Sequence, residues 1–157
     1  MKISTFFVSF FIVFALAISP VLAQDEAADT MEVVREKMRA DKKLLVAEAM
    51  ELTESEAKAF WPIYESFQKD LAKLNARMAK VIDDYAANYG NLPNDMAAKL
   101  LDEYLSIRWD HTTLLTSYLP RFDEALPGNK VFRYYQIENK IRAAVEYDLA
   151  VNIPISQ

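Results

Sequence analysis

Apolar positions recur along this chain with a helical rhythm. From Phe60, large apolar residues follow at Tyr64, Phe67, Leu71, Leu74, Met78, Val81 and Tyr85. The steps alternate between four and three residues. That is the spacing of a seam along one face of an α-helix. Ala97, Leu100, Tyr104, Ile107, His111, Leu114 and Tyr118 repeat it, and Leu101, Leu105 and Leu115 widen the stripe. Met31, Val34, Met38, Leu45 and Ala49 carry a weaker face upstream. Val131, Tyr134, Tyr135, Ile141, Val145 and Leu149 carry another downstream.

Punctuation sets the expected limits. The first helix runs from about residue 30 to 50. The second opens at Thr53, whose hydroxyl can accept from the Glu56 amide while the Glu56 carboxylate returns to the Thr53 amide. Leu52 stands where an apolar staple belongs. Pro62 removes a backbone donor and disfavours helical geometry at Trp61. In a straight helix this costs about 3 kcal/mol. The expectation is a corner, with a short helix over 54–60 meeting a long one from 62 to 88. The third helix runs from 94 to 119 and stops at Pro120, leaving 121–126 as a connector. The fourth spans 130–150. The Asn152, Ile153, Pro154, Ile155 tail is expected to be extended and to pack back on the body.

A helix over 62–88 is about 40 Å long. Joined to its successor through residues 90–93, it predicts a long antiparallel hairpin with two further helices. The fold class expected is all-α, elongated, with a face that a second copy covers.

Composition supports this. Only two glycines, Gly90 and Gly128, are present, which leaves little material for β-turns. There is no cysteine, so no disulfide or thiolate site. Residues 3–18 are almost wholly apolar after Lys2, and Val21, Leu22, Ala23 form a small-residue exit before Gln24. This reads as a cleavable secretory signal peptide over 1–23. The expected plan is then a mobile polar leader over 24–29 and a single domain over 30–157. Without Lys2, the 18 basic residues become 17 against 23 acidic ones. An acidic chain argues against nucleic-acid binding.

No catalytic constellation is visible. His111 is the only histidine, and its place on the third helix's stripe predicts a packed imidazole rather than a metal ligand. Asp83 with Asp84, Asp102 with Glu103, and Asp123 with Glu124 are adjacent pairs that point about 100° apart on a helix. No enzyme, cofactor or metal is expected. Arg35, Arg39, Lys42 and Lys43 make one basic stripe; Lys69, Lys73, Arg77 and Lys80 make a second, expected to be solvated and to face away from the seam. The abundant aromatics point either to core packing, the reading for most of them, or to an interaction surface, for which Trp109, off the main seam of its helix, is a candidate. The candidate contact residues are Trp109, Tyr134, Tyr135, Met31, Met38, Lys69, Lys73 and Lys80.

The Leu52, Thr53, Glu56 box resembles the L-T-x-x-Q signature of Spy/CpxP-like periplasmic proteins, with Glu56 at the position of the glutamine. The longer phrase L-T-x-x-E-A-x-x-F-W-P-x-Y, over 52–64, resembles exported helical sensors linked to extracytoplasmic sigma factors. The order of elements is similar too. A second box would fall at Leu126, but reads L-P-x-x-K through Lys130. The resemblance implies a periplasmic, cradle-shaped homodimer that binds unfolded or envelope proteins or reports envelope stress. Its sensor-like variant implies one membrane-bound partner.

Overall fold

The computed structural model describes residues 24–156. Four helices account for nearly all of them: α1 (Gln24–Met50), α2 (Glu54–Asn88), α3 (Asn94–Ala125) and α4 (Gly128–Asn152). No strand occurs among the described residues. The protein is all-α. The expected signal peptide lies outside the described residues, and 24–29, expected as a mobile leader, falls within α1.

The chain divides into two compact units, the first ending at Lys43 and the second being Leu44–Gln157. The described part of the first is the helical stretch 24–43.

Contacts between α2 and α3 fix an antiparallel hairpin. Phe60 stacks on Phe122, Phe67 on Tyr118, and Arg77 pairs with Asp110 and Glu103. As the number rises on α2, it falls on α3. α4 returns antiparallel to α3: the Tyr135 hydroxyl donates to the Leu115 carbonyl at 2.7 Å, and Arg108 meets Glu146. The core is an aromatic cluster of Phe60, Tyr64, Phe67, Tyr118, Phe122 and Tyr134, closed by Val46 and Met50 from the end of α1. Tyr134 stacks on four of these rings, edge-on to Phe60 at 5.1 Å.

Both prolines behave differently from expectation. α2 runs unbroken through Pro62, and α3 through Pro120. Each ring is exposed, and so are Lys58 and Thr116, the residues whose carbonyls lose a donor. Water can satisfy a carbonyl that faces solvent. Continuing α3 also brings Phe122 and Leu126 into the core, 0% and 5% exposed. Burying such side chains contributes about 1.5–3 kcal/mol each, enough to offset a proline's cost. The expected connector at 121–126 is therefore the last helical turn and its C-cap.

The start of α2 is built as its sequence requires. The Glu56 amide donates to Thr53 Oγ1 at 3.4 Å, and the Thr53 amide to Glu56 Oε2 at 2.8 Å. Lys130, in the first turn of α4, adds a partner. Its Nζ donates to Glu56 Oε2 at 2.6 Å and to the Glu51 carbonyl at 3.0 Å. Glu51 has φ +48, the left-handed conformation that ends α1. Arg133 reaches the Ala49 carbonyl at 3.5 Å. α1 has no basic residue in its last turn, so α4 supplies the cations that its carbonyl end favours.

Candidate functional site

α3 has three sides. One meets α2 through Glu103, Asp110 and Tyr118. A second meets α4 through Arg108 and Leu115. The third is left to solvent, and beside Asp102, Thr112 and Thr116 it carries an apolar stripe. Leu101 is 57% exposed, Leu105 54% and Trp109 75%. They follow one another at intervals of four residues, so they form one stripe. Leu119 is also exposed, two to three turns on.

The border with α4 is polar. Arg108 lies over the Tyr104 ring, 5.6 Å from its centroid, and pairs with Glu146 at 3.2 Å. Glu146 also holds Arg142 at 2.8 Å. His111, one turn from Arg108, is half-buried. Its pKa is lowered, first by burial and then by the Arg142 charge, with Glu146 and Glu138 opposing.

The sequence-derived contact residues separate. Trp109 is on the surface. Tyr134 is not: it is 0% exposed and lies at the centre of the aromatic core. Tyr135 is half-buried, and its hydroxyl is engaged with Leu115, so it is a packing residue rather than a free contact; burial, then the Asp123 charge, pushes its pKa up to about 12. The α4 apolar pattern placed both tyrosines on one side of the helix, and that side faces inward. Lys69 is exposed, Lys73 pairs with Asp70 at 2.7 Å, and Lys80 pairs with Asp84 at 2.9 Å. Met38 is exposed in the first unit, and the Met31 side chain lies outside the described residues. Leu101 and Leu105 were expected to widen the packed stripe; they are on the open face instead.

Two residues escaped the sequence reading. Arg77 belongs to the basic strip expected in solvent, yet it is half-buried between α2 and α3. Its Nε donates to Glu103 at 2.8 Å, and further bonds reach Asp110 and Ser106. Glu138 is a carboxylate only 7% exposed, receiving the Gln68 side-chain amide at 2.8 Å. Its sequence signal was its place one turn after Tyr134, on the same buried face.

Packing is uneven along the hairpin. On α2, the seam is buried from Phe60 to Leu71 and only half-buried at Leu74, Met78, Val81 and Tyr85. Near the end of α2, Ile82, Tyr85, Ala86 and Tyr89 face the tail residues Ile153 and Pro154 across a groove. Among the described residues no group of three or more His, Cys, Asp or Glu could hold a metal, and no helix is long and apolar enough to cross a membrane. Compared with protein-family models, curated proteins and solved structures, the chain finds no match.

Proposed function

We propose that the protein is a periplasmic binding module of the Spy/CpxP-like kind, without chemistry of its own. It acts as a chaperone or envelope-stress adaptor that holds unfolded or envelope proteins by their apolar segments. The observation that carries this reading is the open face of α3, where Leu101, Leu105 and Trp109 present a continuous apolar stripe to solvent. Exposed apolar patches of this kind mark interaction surfaces in soluble proteins. Tryptophan is well suited to the centre of one, because it offers a large contact area at small entropic loss.

Binding is reversible contact along the stripe, which the α2–α3 hairpin supports from behind. Apolar burial supplies the affinity, so protection of clients persists at high salt. Self-association of two copies through the same face is the competing use of it.

The test is suppression of aggregation of unrelated unfolded proteins by the chain from Gln24. Protection near stoichiometric ratios supports the reading. Absence of protection, together with capture of a single membrane protein, replaces it with the sensor reading.

A further inference from the structure

The chain's own tail lies against the end of α2 and bounds a groove there. Ile82, Tyr85, Ala86 and Tyr89 form one wall, and Ile153 and Pro154 form the other, with about 260 Å³ between them. The tail is no longer helical there: Ile153 has φ −89 and ψ 116, an extended conformation. The Asn152 side chain turns back to the Asp148 carbonyl at 2.8 Å, which closes α4 before the tail begins. Tyr85 then donates its hydroxyl to the Pro154 carbonyl at 2.8 Å. Tyr89 packs edge-on against Tyr85, with ring centroids 5.8 Å apart, and steadies that ring.

The tail is lightly held. Ile153 is half-buried, Pro154 is exposed, and Ile155 is 89% exposed. The groove offers what an extended proline-containing segment needs. Tyr85 and Tyr89 stand beside the half-buried Ile153, and the Tyr85 hydroxyl meets the proline carbonyl. Proline has no backbone donor of its own, so an acceptor-only contact leaves nothing unsatisfied.

We propose that the α2 side of this groove is a binding site for extended apolar peptide segments centred on proline, and that residues 153 and 154 are its built-in competitor. The proposal rests on the reading of the protein as a binding module, but it uses a different surface from the stripe on α3. A tethered competitor acts at an effective concentration on the order of millimolar. A free peptide must displace it.

The experiment uses a fluorescent peptide with the sequence of residues 151–157, Val-Asn-Ile-Pro-Ile-Ser-Gln. Its anisotropy is followed with the chain from Gln24 and with the same chain ending at Asn152. The shortened chain should bind at least about tenfold more tightly, because the tethered competitor is gone. Tyr85→Phe in the shortened chain should weaken binding by about fivefold, the worth of one hydrogen bond. Equal affinity for the two chains, or no binding to the shortened one, overturns the proposal. A second measurement needs no truncation. Excess peptide should speed hydrogen exchange of the Ile153 amide, held by the Leu149 carbonyl at 2.9 Å, and unchanged exchange counts against displacement. Tail-dependent peptide binding without client protection overturns the proposed function alone. Client protection with equal peptide affinity overturns this inference alone.

Discussion

Lys130 Nζ lies 2.6 Å from Glu56 Oε2, and through that contact the first turn of α4 is joined to the capping box of α2. Both side chains are largely covered, 19% and 17% exposed. Glu56 thus serves two partners. It closes the Thr53 cap and neutralises a cation that also caps the end of α1. Three chain segments meet at one carboxylate.

This arrangement makes stability depend on pH in a defined direction. The hydrogen bond from Lys130, then that from the Thr53 amide, lowers the Glu56 pKa below its ordinary value. A carboxyl lowered by folding stabilises the folded state above the unfolded pKa, and that contribution is lost as pH falls through the folded one. A double-mutant cycle with Glu56→Gln and Lys130→Met should show favourable coupling above about pH 6, fading below about pH 4. Urea titrations across that range measure it. Coupling that is absent at neutral pH contradicts the geometry.

Glu51 takes a left-handed conformation that costs a residue with a Cβ about 1–2 kcal/mol. Its carbonyl, not its side chain, is what Lys130 uses. Glu51→Gly should therefore raise stability by up to about 1 kcal/mol, visible as a higher denaturation midpoint. A loss of stability would show that the 3.6 Å approach of Arg133 to the Glu51 carboxylate outweighs the backbone.

Phe122 tests the continuation of α3 past Pro120. As a fully buried member of the aromatic core, its replacement by alanine should cost about 3–5 kcal/mol in urea denaturation. A cost below about 0.5 kcal/mol would be that of a surface connector.

His111 should titrate below the ordinary histidine value of about 6.5, because burial, then Arg142, disfavours the imidazolium. Proton NMR of the single histidine gives this midpoint directly. A midpoint above the ordinary value would mean that Glu146 and Glu138 dominate the site instead.

What could be read in the sequence was local. Thr53 and Glu56 stand three residues apart, and that spacing alone specifies a capping box. The four-three rhythm from Phe60 specified one face of α2, and that face does pack. The misreadings came from tertiary context. Pro120 breaks a helix by local rules, but the gain from burying Phe122 and Leu126 lies in contacts with other elements. Tyr134 and Trp109 are both large aromatics on helices. Only the placement of neighbouring helices separates the core ring from the exposed one. Lys130 looked like a defect in a second box, since an ammonium cannot accept a capping hydrogen bond. Its role became visible only where the start of α4 meets the start of α2. Arg77 is distinguished from Lys73 and Lys80 by reach across to Glu103 and Asp110, which no spacing on α2 encodes.

The central claim is that the open stripe on α3 does the binding. The decisive measurement compares client protection by the chain from Gln24 with that by a Leu101→Ser, Leu105→Ser, Trp109→Ala variant, at low and high salt. These positions are exposed, so each substitution should shift stability by no more than about 0.5 kcal/mol. The account predicts protection by the parent chain at both salt concentrations and its loss in an otherwise folded variant. Equal protection by the folded variant would contradict it.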